Sequence, residues 1–304
     1  MEEQEKELEQ DDWKVELHKE LITAMMGDAA EKNRAYVEVG YYYNCYAPAS
    51  LYKYYPDTSL KLHSVKNNQM WYSAPCKFND VFDCDISIDD QKVLDESMKV
   101  FPNERKIRPG SKVWKDFRSA MRQQLRILKN KFDELRNTMG VACFSEEESS
   151  LLMWAHYANN HRGICVEYNL LEINSVLGFT AIPIIYSGER TCFNFFELHN
   201  METHAVQLFL RSLTHKSPEW RYEKEWRIVR EKASCGDKWD DNKKGALLEM
   251  IQPSSIILGC AAEPQFEQEV KEYCNSNRIN LYKMEKDPIQ YRLNKNVLLK
   301  FNTD

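Results

Sequence analysis

The chain has 304 residues, of which 47 are acidic and 41 are basic, and its formal net charge is −6. This length fits one large domain, or one domain with an appended segment, and it is sufficient to bury a hydrophobic core. The 43% of hydrophobic and 29% of charged residues exclude a chain that is disordered or fibrous throughout. The mild negative charge argues against a general DNA-coating protein.

The chain is predicted to begin with a helical arm at residues 1–45, followed by a single α+β domain at 46–304. Trp13, Leu17, Leu21 and Met25 follow a helical period on a charged background. This helix either packs on the main domain or serves as an arm that binds a partner. The first twenty residues are acidic and lack the apolar segment of a secretory signal.

No apolar stretch approaches the roughly 18 residues that a membrane helix requires, so we expect a cytoplasmic protein without a membrane partner. The nine cysteines are scattered, odd in number and never arranged as CxxC. This pattern argues against a disulfide scaffold or a zinc ribbon, and no structural metal is expected. We expect reduced, buried thiols.

From residue 50 onward, strand-like and helical segments alternate. Strands are predicted at 51–55, 69–75, 141–145, 162–169, 181–187, 227–230, 254–260 and 279–284. Helices are predicted at 59–68, at 111–137, within the capping-type segment 145–161, at about 194–214 and at 263–277. This order predicts an α+β fold with a mixed, mainly antiparallel sheet system flanked by helices.

The helix at 111–137 carries a basic stripe on one face. The stripe consists of Lys115, Arg118, Arg122, Arg126 and Lys129. It either follows the phosphates of a nucleic acid or is a solvated face, since acidic residues interrupt it.

Four short clusters place polar groups among aromatic rings, where burial is costly unless those groups are used. In the first, the strand Leu51–Tyr55, Tyr52 and Tyr54 should share one face and Lys53 the other. The second, Trp71–Asp83, contains Ser73, Asn79 and Asp80. These residues suit a cation, a ribose or an amide, or simply form turns and caps.

The third cluster, Trp154–Gly163, contains two histidines. His156 and His161 are five residues apart, which is not the spacing of a helical zinc pair. His161 and Arg162 follow a helix and either face an anion such as pyrophosphate or are structural.

The fourth cluster, Trp220–Arg227, contains two glutamates on what is predicted to be a strand or extended turn. Glu223 and Glu225 should then project to one face, and Trp220, Tyr222 and Trp226 to the other. Carboxylates paired among rings can have their pKa values pushed apart, so that one acts as a base or a hydrogen-bond anchor. The alternative is an exposed charged strand.

Several familiar motifs are missing from the chain: GxSxG, the P-loop, HExxH and the kinase set. Gly259 follows an apolar strand, but a single glycine is not the GxGxxG loop of a dinucleotide-binding fold.

Taken together, the four clusters resemble a prokaryotic family known as domain of unknown function 2971. The ordered motifs of that family correspond here to Leu51–Tyr54, Trp71–Asp83, Met153–Gly163 and Tyr222–Arg227. The resemblance extends over roughly residues 50–300. The layout of an early strand, an aromatic-Ser strand and a late E-x-E is also similar, more weakly, to ADP-ribosyltransferases.

The second resemblance implies NAD as substrate. Lys53 or Tyr54, where that superfamily has Arg or His, would hold the phosphate or ribose of NAD, and Ser73 would brace the nicotinamide side. Glu225 would bind the ribose 2′-hydroxyl and stabilise the oxocarbenium-like transition state, while Glu223 would position the acceptor. The remaining residues expected around NAD are Tyr72, Asn79, Asp80, His156, His161, Arg162 and Arg227.

The leading hypothesis is therefore an NAD-dependent ADP-ribosyltransferase or NAD glycohydrolase that acts as an intracellular toxin or phage-defence effector. Its acceptor would be a protein or nucleic acid, and an antitoxin or defence-system protein is a possible partner. One alternative is a metal-dependent nuclease or phosphodiesterase that binds Mg²⁺ through Asp80, Asp83, Glu223 and Glu225. Another is a non-enzymatic ligand-binding sensor.

Overall fold

The computed structural model describes residues 12–104, 106–178, 181–194 and 201–301. The helices span Asp12–Met26 (α1), Ala29–Tyr46 (α2), Ser59–Lys66 (α3), Asp90–Glu104 (α4), Lys112–Thr138 (α5), Leu151–Tyr157 (α6), Leu170–Leu177 (α7), Met201–Thr214 (α8), Lys232–Cys235 (α9) and Pro264–Asn277 (α10). In this part of the chain, no helix combines the length and the hydrophobicity needed to cross a bilayer.

The strands build one large sheet and two small parallel pairs. They span Ser50–Tyr55 (β1), Gln69–Ser73 (β2), Ser87–Ile88 (β3), Met139–Ser145 (β4), Ile164–Asn169 (β5), Ala181–Pro183 (β6), Ile185–Tyr186 (β7), Cys192–Phe193 (β8), His215–Lys216 (β9), Glu225–Glu231 (β10), Trp239–Asp240 (β11), Gly245–Glu249 (β12), Ser255–Leu258 (β13), Asn280–Lys286 (β14) and Leu293–Leu299 (β15). The large sheet runs β11-β12-β2-β4-β1-β5-β13-β14-β15, and β10 lies between β4 and β6. Among the described strands of this sheet, only β13 and β14, which are joined through α10, pair in parallel. The predicted α+β class with a mainly antiparallel sheet is confirmed.

The two N-terminal helices pack onto one face of the large sheet. Asp28 and Glu31 form a capping box that starts α2 directly after α1. Leu17, Val39 and Tyr43 are buried in the main hydrophobic core. Of the apolar residues that predicted the first helix, Leu17 packs into the core, whereas Met25 at the end of α1 is 59% exposed.

Side-chain alternation along β1 follows the expected two-residue period. Leu51 and Tyr55 lie in the main core, whereas Tyr52 and Tyr54 pack on the opposite face in a second cluster around Trp154 of α6. The prediction that both tyrosines share one face is confirmed. This second face of the sheet carries the candidate site.

Three local expectations are corrected by the structure. Residues 181–187 do not form one strand. Their first part, β6, pairs with β10, whereas the next part, β7, pairs with β9. Residues 218–223 form a 3₁₀ helix rather than a strand. The predicted helix at about 194–214 is described only from Met201, and residues 195–200 lie outside the described ranges.

All nine cysteines are free thiols. Only some of them are buried, in contrast to the expectation. Cys84, Cys165, Cys235 and Cys274 are buried, whereas Cys45, Cys76 and Cys192 are exposed.

Gly259 has a packing role. A Cβ at this position would lie 2.0 Å from the backbone oxygen of His161. The backbone of Gly259 donates to the oxygen of Gly163 at 2.9 Å, which holds the turn after α6 against β13. This close approach of two backbones explains the glycine without a dinucleotide loop.

Replacing Gly259 with alanine is expected to destabilise the protein by about 1–3 kcal/mol, because the new methyl group overlaps backbone that cannot move aside easily. The measurement is the free energy of unfolding in urea. Gly40→Ala is the matched control, since a Cβ in this α2 position meets nothing within 4 Å. The control is expected to be neutral or stabilising by about 0.5–1 kcal/mol, and equal losses in both variants would contradict the packing role.

Candidate functional site

A cleft of about 470 Å³ opens where β1 and β4 diverge. The two strands share a paired position at Tyr52 and Ser145, and Lys53 Nζ donates to the backbone oxygen of Cys143 at 2.7 Å across the gap. Aromatic rings and charged groups line the cleft: Tyr52, Lys53, Tyr54, Lys77, Phe78, Asn79, Asp83, Cys143, Phe144, Met153, His156, Tyr157, Lys216, Glu223 and Glu225. Its size is typical of small-molecule sites.

Arg227 anchors the charges beneath the cleft. Its side chain is fully buried on β10. Its guanidinium donates to both oxygens of Asp83, at 2.8 and 2.6 Å, and to both oxygens of Glu225, at 2.6 and 3.0 Å. A further donation to the backbone oxygen of Leu213 at 2.9 Å leaves Arg227 well satisfied. Arginine suits this position because its planar fork serves two carboxylates at once.

Lys216 is the second cation of the network. Its Nζ lies 2.5 Å from Glu223 Oε2, 2.9 Å from Glu225 Oε2 and 3.7 Å from Asp83 Oδ2. It also lies 4.9 Å from the centroid of the Trp220 ring. Three buried carboxylates thus face two buried cations, which leaves one excess negative charge at the floor of the cleft.

The two glutamates converge on Lys216 by a route other than strand alternation. Glu223 ends the 3₁₀ helix Pro218–Glu223, Lys224 adopts a left-handed conformation with φ 41°, and Glu225 begins β10. Beyond this point the expected alternation holds, because Trp226 packs into the main core while Arg227 joins the network. The prediction of one continuous face for Trp220, Tyr222 and Trp226 is wrong, since the first two lie in the 3₁₀ helix.

The environments of the two glutamates differ in their effect on acidity. Burial alone would raise the pKa of Glu225, but Arg227 and Lys216 outweigh it and hold that pKa well below its ordinary value. Burial raises the pKa of Glu223 above its ordinary value, and the nearby charge of Glu225 adds to this, although Lys216 opposes it. Glu225 is therefore ionised throughout the physiological range, and Glu223 is the carboxylate that takes up a proton first.

Glu223 also has the freer carboxylate. Its Oε1 accepts from the Tyr157 hydroxyl at 2.6 Å and its Oε2 from Lys216 at 2.5 Å, which leaves acceptor capacity on each oxygen. Both oxygens of Glu225 are occupied by Arg227, and one of them by Lys216 as well. The backbone N–H of Glu225 donates to Tyr186 Oη at 2.8 Å. Glu225 is therefore placed to hold the two cations, and Glu223 faces the cleft.

Comparison with known proteins bears on the second half of this site. Residues 153–228 match the model of a family described as "Protein of unknown function (DUF2971)". The expected resemblance to this family is thereby confirmed over these residues. No curated protein and no solved structure matches the chain.

The segment that matches this family model contributes the α6 wall of the cleft and four of the five charged residues of the network, all except Asp83. Residues 153–228 include several residues that line the cleft, among them His156 and Tyr157 on α6, Lys216 on β9, Glu223 and Glu225. The β1 residues and Asp83 lie outside this segment, in the first two sequence clusters. The fold of the chain brings them next to it.

Half of the residues expected at the site line the cleft. They are Lys53, Tyr54, Asn79, His156, Glu223 and Glu225. Arg227 lies directly beneath it. Burial lowers the pKa of Lys53, whose Nζ is 5.3 Å from the Phe144 ring centroid and 5.8 Å from that of Tyr55.

The other expected residues lie elsewhere. Tyr72 is 1% exposed within the main core, and Ser73 ends β2 opposite Gly245. Asp80 accepts from the backbone N–H of Phe82 in a turn. His161 lines a different cavity, and Arg162 is exposed. None of these five lines the cleft.

Two residues that now carry the site were not singled out from the sequence. Lys216 lies just before the fourth cluster and outside all four clusters, so no local pattern indicated that it belongs to the site. Tyr157 stands next to His156 in the third cluster. It follows Trp154 by three residues, a helical spacing that could have indicated that both side chains lie on the same side of the helix. Tyr157 now supplies the hydrogen bond to Glu223.

The carboxylates of the network do not form a metal site. Asp83 and Glu225 receive Arg227 on both oxygens, and Asp80 points into its own turn. Across the described ranges, no three His, Cys, Asp or Glu side chains are arranged to hold a metal ion. A Mg²⁺ ion bound by Asp80, Asp83, Glu223 and Glu225 does not fit this arrangement.

Proposed function

We propose that the protein cleaves the N-glycosidic bond of NAD, as a glycohydrolase or an ADP-ribosyltransferase, with Glu223 as the catalytic carboxylate. The observation that carries the proposal is a pair of carboxylates at the floor of an aromatic cleft: Glu225 is held on both oxygens by cations, whereas Glu223 keeps free acceptor capacity. Their pKa values are shifted in opposite directions, down for Glu225 by its two cations and up for Glu223 by burial. Environments that push two carboxyl pKa values apart are typical of acid–base sites.

The chemistry requires negative charge beside a developing cation. When the C–N bond breaks, its electron pair leaves with neutral nicotinamide, and positive charge develops over C1′ and the ring oxygen of the ribose. Ionised Glu223 would stabilise this charge, as carboxylates do in glycoside cleavage. It would then accept the proton of the water or acceptor that attacks C1′.

The walls of the cleft suit the rest of an NAD molecule. Tyr54, Tyr157 and Phe78 offer ring faces on which nicotinamide can stack. Lys53 and Lys77 supply cations for the pyrophosphate, the role first expected of Arg162. Compared with the expectation from sequence, the glutamates exchange roles: Glu225 becomes the positioning residue and Glu223 the residue that touches the ribose.

Product analysis tests the proposal and separates hydrolysis from transfer. Purified full-length protein is incubated with NAD, alone and with protein or nucleic-acid acceptors, and the products are identified by mass spectrometry. Free nicotinamide with ADP-ribose indicates hydrolysis, and an acceptor heavier by one ADP-ribose indicates transfer. An NAD-consuming activity would also fit a toxin or antiphage effector.

Tyr157→Phe is expected to shift the acid limb of the pH profile upward. The hydroxyl of Tyr157 stabilises ionised Glu223, so its removal raises the pKa of a carboxyl that already titrates above its ordinary value of 4.5. Activity that needs ionised Glu223 is present above that pKa and is lost as the pH falls through it. The measurement is kcat/KM for NAD between pH 4.5 and 8.

Tyr222→Phe serves as the matched control for this shift. Its ring lies beside His156, but within the described part of the chain its hydroxyl does not hydrogen-bond to Glu223. Its acid limb should coincide with that of the wild type. Identical profiles for Tyr157→Phe and the wild type would count against Glu223 as the titrating group.

A second candidate function is the binding of a ligand without turnover. Arg227 donates to both oxygens of Asp83 and of Glu225, and this favours a binding role. Such an ionic network can hold the shape of a binding pocket as well as that of a catalytic centre. In that case NAD raises the melting temperature by mass action but releases no nicotinamide.

A further inference from the structure

A second cavity, of about 540 Å³, lies on the other side of α6 from the cleft. Its walls come from Leu151 at the start of α6, the turn at 160–161, the loop at 260–261 after β13, and the hairpin 286–293 between β14 and β15. It shares no lining residue with the cleft.

The third sequence cluster divides between the two cavities. His156 lines the cleft, whereas His161, five residues later, lines the second cavity. Fully buried Trp154 separates them, with the Tyr54 ring at 5.2 Å on the cleft side and the His161 ring stacked at 6.4 Å on the other. The proposed NAD chemistry therefore uses only the first half of this cluster.

Polar groups in the second cavity are available to a ligand. Lys286 at the end of β14 is exposed, and Arg292 uses its Nε on Asp287 at 2.8 Å while its side chain remains 60% exposed.

The hairpin adds apolar surface beside these cations. Ile289 is 90% exposed and Tyr291 is fully exposed, and both line the cavity. Asp287 holds the turn in place by accepting from the backbone N–H groups of Ile289 and Gln290, each at 2.9 Å. Ile289 and Tyr291 therefore present apolar surface on the wall of the cavity that Lys286 and Arg292 also line.

We propose that this second cavity binds a small molecule that carries both an anionic group and an aromatic ring, of the class of nucleoside monophosphates. Lys286 and Arg292 contact the phosphate, and Tyr291 with Ile289 covers the base. The cavity volume falls within the range of sites for molecules of this size.

Calorimetric titration of the full-length protein tests this site with three probes: inorganic phosphate, adenosine and AMP. AMP is expected to bind at least tenfold more tightly than either part alone. Lys286→Gln should weaken AMP and phosphate by about tenfold and leave adenosine unchanged. Tyr291→Ser should weaken AMP and adenosine by about tenfold and leave phosphate unchanged.

Both substitutions alter exposed side chains, so a loss of binding is not explained by unfolding. Lys271→Gln, on the exposed side of α10, and Tyr36→Ser, at a 58% exposed position of α2, are the matched controls and should bind AMP like the wild type. Lys53 lines the cleft and not the second cavity, so weaker AMP binding in Lys53→Gln would indicate that AMP binds in the cleft. The proposal is overturned if AMP does not bind, binds no tighter than phosphate, or is weakened by Lys53→Gln but not by Lys286→Gln and Tyr291→Ser.

Discussion

Arg227→Met is expected to destabilise the protein by about 3–5 kcal/mol, or to prevent folding altogether. Methionine approximates the length of the side chain but leaves Asp83, Glu223 and Glu225 with Lys216 as their one close cation in the network. Removing one partner of a buried ionic network leaves charge that is neither solvated nor compensated. The measurement is the free energy of unfolding in urea at neutral pH.

Arg230→Met is the control for this substitution. Arg230 lies on the same strand, is only partly buried and donates to the backbone oxygen of Val229. Its loss should cost less than about 1 kcal/mol. If Arg227→Met were as stable as Arg230→Met, the network would not depend on Arg227 and the description of the site would be wrong.

The second large effect is expected on activity. Glu223→Gln should lower nicotinamide release from NAD by about 10²–10⁴-fold, because the amide keeps the shape of the side chain but carries no negative charge for the oxocarbenium-like state. The fold should persist, since an amide oxygen can still accept from Lys216 or Tyr157.

Glu219→Gln provides the matched comparison in the same 3₁₀ helix. Glu219 is exposed and its carboxylate accepts from the Ser217 hydroxyl. This variant should release nicotinamide at the wild-type rate. Equal rates for Glu223→Gln and Glu219→Gln, with both proteins folded, would exclude Glu223 as the catalytic carboxylate.

Local periodicity was sufficient to predict those parts of the site that lie on regular strands. The two-residue period placed Tyr52 and Tyr54 on one face of β1, because a strand alternates whatever it pairs with. The same period failed at Trp220–Glu223. That stretch alternates aromatic and charged residues like a strand, yet Pro218 starts a 3₁₀ helix and Lys224 takes a left-handed conformation that its residue type does not signal.

Residues that depend on long-range pairing could not be placed from sequence. Tyr72 and Ser73 were expected at the cleft, but β2 pairs mainly with β12, and this directs Tyr72 into the main core. Lys216 was missed for the same reason: it meets Glu223 and Glu225 only because β9 pairs with β7 beside β10. The sequence motif drew attention to the two glutamates that line the cleft, and tertiary pairing decided which groups surround them.

The rate at which purified full-length protein releases nicotinamide from NAD at neutral pH tests the central claim most directly. We predict measurable release by the wild-type protein and a loss of about 10²-fold or more in Glu223→Gln. A folded wild-type protein that releases no nicotinamide, with or without protein and nucleic-acid acceptors, would contradict the proposed function.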